Sequence, residues 1–183
     1  MIIGVLFYTH PPILSELLHT HIMDSELFKL AEQLGRFLTA NGKKISTAES
    51  CTGGWIAQTI TDVPGSSTWF DRGFVSYSNA AKVEMLGVNP QTLEQHGAVS
   101  SATAIEMAMG ALAHSDADLA IAVTGIAGPD GGTAEKPVGT VFIAWANRHG
   151  KKLVLKKQFF GNRRQIREQT VQSAIEGVRL IAW

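Results

Sequence analysis

The chain holds a single cysteine, Cys51, so it can build neither an internal disulfide nor a cysteine-rich zinc site. That suits a reducing compartment, and a cytoplasmic protein is expected. It has no apolar run near the roughly 20 residues that span a bilayer, so no transmembrane helix is expected. It has no excess charge either. Sixteen Lys and Arg balance sixteen Asp and Glu, and the strongly basic face of a nucleic-acid binder is missing. Internal repeats, low-complexity tracts and interdomain linkers are absent. So are the G-x-x-x-x-G-K-[ST] spacing of a P-loop and the G-x-G-x-x-G dinucleotide fingerprint. Histidine is scarce where it would matter: none occurs between His21 and His96, and His96, His114 and His149 are each isolated. No Ser-His or Cys-His pair can be assigned from spacing.

What remains fits one domain of 183 residues, long enough to bury a sizeable core without metal or disulfide. Residues 1–22 stand apart, being apolar, interrupted by Pro11-Pro12 and carrying Glu16 as their only formal charge. They lack the basic start and small-residue cleavage site of a signal peptide, and are expected to form a flexible extension to a domain of residues 23–183. His10, His19 and His21 lie in that extension without carboxylate or cysteine partners, so no metal is expected there.

From Met23 the pattern becomes regular. Leu27, Leu30, Ala31, Leu34, Phe37 and Leu38 share one helical face, with Asp24 or Ser25 as cap and Asn41-Gly42 as stop. KKISTA reads as a strand and Gly53 to about Thr61 as a helix. RGFVSYS reads as a strand, NAAKVEMLG as a short helix capped by Asn79, and SSATAIEMAMGALAHS as a longer helix. DLAIAVTG reads as a buried strand, followed by a long glycine-rich loop over residues 125–137. VGTVFIAWA and KKLVLKKQFF form a hairpin, and the tail from Asn162 has helical spacing. Strands alternating with helices predict an α/β fold: a three-layer sandwich whose mixed, mostly parallel sheet is covered by helices on both faces.

The stretch AESCTGGWIA, residues 48–57, falls at a strand-to-helix turn. Such a turn presents backbone N–H groups where partial positive charge favours an anion or a developing oxyanion. Two nucleophiles compete: Cys51, whose thiolate the helix start would favour, and Ser50, which needs a base. Lys82 is the available base if it is desolvated enough to be neutral, and Tyr77 at the end of the preceding strand can bond the Ser50 hydroxyl or orient the amine. TGIAGPDGG follows a buried strand and can wrap amides around a phosphate or carboxylate. Arg163, Arg164 and Arg167 crowd a helix start, against the favourable sense of the dipole, which suggests a bound anion.

Together AESCTGGWIA, DVPGSSTWFDRGFVSYSNAAK, EQHGAVS and VTGIAGPDGGTAEKPVGTV resemble the nicotinamide-nucleotide amidohydrolases, which correspond to the C-terminal domain of the CinA proteins. The resemblance runs from about Asp24 to the C-terminus. It implies hydrolysis of nicotinamide mononucleotide to nicotinate mononucleotide and ammonia in pyridine nucleotide salvage, with no metal or cofactor. It places the serine nucleophile on Ser50, the lysine base on Lys82 and the neighbouring tyrosine on Tyr77. Substrate contacts are expected from Thr52, Gly53 and Gly54 at the turn, Asn79, Thr124, Gly125 and Gly128 at the second loop, and Arg164, the last four lying nearest the phosphate or ribose. Cys51 is expected to be a packing residue. The small-molecule nucleotide is the expected partner, with no nucleic acid or membrane, in a homodimer. The alternative is a catalytically inactive nucleotide-binding or regulatory relative.

Overall fold

A computed structural model describes the backbone over residues 14–181 and side chains from residue 25. Helix α1 (Leu14–Ala40) begins ten residues before the expected cap at Asp24. The expectations for residues 1–13, and for His10, His19 and His21, lie outside the described residues and side chains. Strand β1 (Ile45–Glu49) follows, then α2 (Trp55–Thr61), β2 (Phe70–Val75), α3 (Asn79–Leu86), α4 (Pro90–His96) and α5 (Ser101–Ala113). Then come β3 (Leu119–Gly125), β4 (Thr140–Asn147), β5 (Lys152–Gln158), α6 (Arg163–Glu176) and a short 3-10 turn over Gly177–Leu180.

The strands form one sheet in the order β2-β1-β3-β4-β5. β2, β1 and β3 are mutually parallel, while β4 runs against both β3 and β5. Four strands therefore point one way and β4 alone the other, giving the mixed, mostly parallel sheet expected. Period-two alternation splits the sheet into two unlike faces. Leu119, Ile121 and Val123 of β3, with Val141, Ile143 and Trp145 of β4, meet α1, α2 and α6 in one core. Ala120 and Ala122, with Ala144 and Ala146, meet α3 and α5 in the other. The alanine face lets α5 lie close to the strands. Gly110 does the same between helices, since a Cβ there would overlap the Leu86 carbonyl.

The crossover from β1 to β2 uses α2 on one face, whereas the path from β2 to β3 uses α3, α4 and α5, of which α3 and α5 pack on the other. The order therefore reverses between β1 and β3, and the crevice at their carboxyl ends is where such sheets hold ligands. Two local readings needed correction. α4 was not expected, although Asn89 caps it and Pro90 takes its first position, a combination that favours a helix start. The cap of α3 is Ser78, whose Oγ accepts from Ala81 N, and Asn79 is its first residue.

Candidate active site

Glu49 is the last residue of β1 and Ser50 opens the turn that follows. Ser50 N donates to Val123 O of β3 at 3.1 Å, which pins the turn over the crevice. Gly53 and Gly54 have φ of +62° and +95°, a left-handed conformation that lets four residues reverse direction into α2. Ser50 is almost buried, at 8% exposure.

Across the crevice, β2 ends at Val75 and the chain turns into α3, bringing Lys82 back towards β1. Lys82 is 1% exposed. Its Nζ lies 3.0 Å from Ser50 Oγ, 2.9 Å from Ser76 O and 3.4 Å from Tyr77 O. Burial lowers the Lys82 pKa from its ordinary value of 10.5. A neutral amine has two N–H donors and one lone pair. The two carbonyls can take the donors, and the lone pair then faces the Ser50 hydroxyl, which donates to it. The arrangement can therefore carry a proton from Ser50 to Lys82 without moving a heavy atom.

Cys51, beside the serine, is 7% exposed. Burial pushes its thiol up from 9.0 to about 12; a contact from its own backbone amide opposes the shift, and the Glu49 charge adds to it. A thiol so held is a poor nucleophile at neutral pH.

Glu49 was not singled out from sequence, and it organises the turn. Its Oε2 accepts from Thr52 Oγ1 at 2.7 Å and from Gly54 N and Ile56 N, each at 3.0 Å. Oε1 accepts from Ala57 N at 2.8 Å. Gly53 N donates to Ser50 O. Of the amides expected to cradle an oxyanion, those of Thr52 to Gly54, the ones of Gly53 and Gly54 are thus already engaged. Among the described residues, the amides of Cys51 and Thr52 donate to no protein acceptor.

A cavity of about 220 Å³ opens in front of Ser50 and Lys82. Ser50, Lys82, Tyr77, Asn79, Thr124 and Gly125 all border it, as do Cys51 and Arg163. Ala98 and Val99 also border it; they belong to EQHGAVS, a stretch that carries no charged or nucleophilic residue at those positions to flag them. Thr124 is buried and its Oγ1 donates to Ala98 O at 2.7 Å, so its proton is spent within the protein and only its lone pairs remain for a ligand. Gly125 admits no side chain, because a Cβ would meet Thr140 O at 2.8 Å.

The remaining candidates stand elsewhere. Thr52 is buried behind the turn, and Gly53 faces a separate polar hollow with Trp55, Gln58, Arg164 and Arg167. Arg164 lies over the Trp55 ring, 5.2 Å from its centroid. Gly128 is set back from the cavity, its carbonyl accepting from Arg163 Nη1 at 2.7 Å. The arginine at the cavity is Arg163, whose Nη2 donates to Tyr77 Oη at 3.0 Å. The Tyr77 phenol thus bonds Arg163 and not the Ser50 hydroxyl. Among the described residues no three His, Cys, Asp or Glu side chains are grouped to hold a metal, and no helix is long and apolar enough to cross a membrane.

The family described as CinA C-terminal domain matches residues 27–181. The chain is 54% identical over 153 residues to the nicotinamide-nucleotide amidohydrolase PncC of Escherichia coli (strain K12), covering 84% of this chain and 93% of that protein. It is 49% identical over 150 residues to the protein of the same name from Pseudomonas putida, covering 81% and 92%. Among solved structures, the competence/damage inducible protein CihA from Agrobacterium tumefaciens superposes with a TM-score of 0.83 at 49% identity, covering 84% of this chain and 94% of that one.

Proposed function

The chain belongs to the CinA C-terminal domain family, and from that membership we propose that it is an amidohydrolase that converts nicotinamide mononucleotide to nicotinate mononucleotide and ammonia. Relatives that share about half of their residues with it along most of their length carry that activity in their names. The observation that carries the reading for this chain is the buried contact of 3.0 Å between Lys82 Nζ and Ser50 Oγ.

In the proposed reaction the neutral Lys82 amine takes the Ser50 proton as Oγ attacks the carboxamide carbon. The tetrahedral oxyanion forms beside the amide of Cys51, which borders the cavity, while Glu49 engages the amides further along the turn. The lysine ammonium passes its proton to the leaving nitrogen, ammonia departs, and an ester on Ser50 remains. Water then attacks the ester carbon, giving a proton to Lys82, and Ser50 recovers a proton as nicotinate mononucleotide leaves. Tyr77 stands at the rim, where its phenol can donate to the departing nitrogen while accepting from Arg163. Thr124, Gly125 and Asn79 line the cavity that receives the substrate. Such chemistry belongs to pyridine nucleotide salvage.

Ammonia release from nicotinamide mononucleotide tests the proposal, with wild-type protein, Ser50→Ala and Cys51→Ala compared. Turnover is expected in wild type and in Cys51→Ala, and its loss in Ser50→Ala. Binding of the nucleotide by wild type without any ammonia release would instead mark the chain as a non-catalytic relative.

A further inference from the structure

Among the described residues, the cavity in front of Ser50 has two charged side chains on its wall, Lys82 and Arg163, and no acid. Lys82 is committed to Ser50 and two carbonyls. Arg163 is different. It is exposed, at the first position of α6, and among the described residues no carboxylate pairs with it. Two of its N–H groups are used, one on Gly128 O and one on Tyr77 Oη, and these bonds from two separate loops fix the guanidinium plane at the cavity. Three N–H donors remain for a ligand.

A cation in the first turn of a helix is opposed by the backbone dipole, and no acid in the first turn of α6 offsets it. A bound dianion would. A phosphate monoester carries nearly two negative charges at neutral pH and matches the guanidinium fork. Resting on the amidohydrolase reading above, we propose that Arg163 is the residue that reads the 5′-phosphate of the substrate and so selects nucleotide over nucleoside. Arg164 has no part in this, because its guanidinium lies over Trp55 in the neighbouring hollow.

The test compares kcat/KM for nicotinamide mononucleotide and nicotinamide riboside, which carries the same carboxamide without the phosphate. Wild type should prefer the nucleotide. Arg163→Ala should reduce that preference by about tenfold to a hundredfold, the loss of one or two charge-assisted hydrogen bonds. Arg163→Lys should recover part of it, supplying charge without the planar fork. Arg164→Ala should retain it. A preference unchanged in Arg163→Ala, or lost equally in Arg164→Ala, would overturn the assignment. Calorimetry with ribose 5-phosphate gives a readout free of catalysis: wild type should bind it at least tenfold more tightly than Arg163→Ala, and equal binding overturns the inference. If wild type releases ammonia from neither substrate, the amidohydrolase reading fails, while the calorimetry still decides the role of the arginine.

Discussion

In the proposed mechanism Lys82 can act as a base only because it is buried, and that burial has a measurable signature in both rate and stability. Its pKa lies below 10.5 in the folded protein and returns to the ordinary value on unfolding. Between those two values the unfolded chain binds more protons, so the free energy of unfolding rises with pH across that window. Below it the desolvation cost is present in full. Lys82→Met removes this slope, and subtracting its stability curve from that of wild type isolates the lysine. The subtraction matters because Cys51 works in the opposite sense. Its thiol, raised from 9.0 to about 12, makes stability fall as pH climbs past 9. In activity, kcat/KM should rise with pH and level off once Lys82 is neutral, at an apparent pKa below 10.5. Lys82→Met should lose about 10²–10⁴-fold in kcat, the usual range for a positioned base. A flat pH profile on the acid side would remove Lys82 from the proposed mechanism. That Ser50, Lys82 and Tyr77 meet at one cavity was legible because each sits in a motif whose neighbours also fit. Arg163 stood in the sequence beside Arg164 and Arg167, and Arg164 was the one expected at the substrate. Adjacent helical residues point about 100° apart, and whether the first or second arginine of α6 faces the crevice depends on how the helix docks, which periodicity does not encode.

Between elements, Glu49 is the joint. It ends β1, yet its carboxylate reaches forward to amides of residues 54, 56 and 57 and to the Thr52 hydroxyl, gathering the start of α2 beneath the nucleophile. Sequence reasoning looks for a helix cap immediately before the helix, and here Gly54 occupies that place with no side chain to offer. The signal lies five residues upstream in a strand, beyond the reach of capping rules. α4 was missed for a weaker reason. Asn89-Pro90 was readable as a start, but seven residues give too little periodicity to confirm a helix. Glu49→Gln keeps the shape and replaces one acceptor oxygen by an amide NH₂, which sets a donor against at least one backbone N–H. The cost in stability should be about 1–3 kcal/mol. Because Ser50 and the Cys51 amide depend on this turn, kcat should fall with KM little changed. Steady-state kinetics beside thermal unfolding separates the two effects. A variant destabilised by that amount with wild-type kcat would make Glu49 purely structural.

Across the whole molecule, the two ends of the sheet carry different burdens. The carboxyl ends of β1, β2 and β3 hold the cavity, and their sequence is rich in small residues and turns that geometry alone makes necessary. The opposite end holds Arg148, just after β4, whose side chain donates to the carbonyls of Leu112, Ser115 and Ala117. Its own amide donates to Asp118 O at 3.0 Å. One guanidinium thus ties the β4-β5 hairpin to the end of α5 and the start of β3. Three charge-assisted bonds to backbone carbonyls that would otherwise lose a partner are worth about 2 kcal/mol together, given the arginine's exposure. Arg148→Ala should therefore lower Tm by about 4–8 °C for a domain of this size. It should leave kcat/KM for nicotinamide mononucleotide at the wild-type value when measured well below Tm, because the length of the central strands separates the substitution from Ser50. A loss of activity at a temperature where the variant is fully folded would show that the ends of the sheet are coupled, and that the crevice depends on more than the loops that line it.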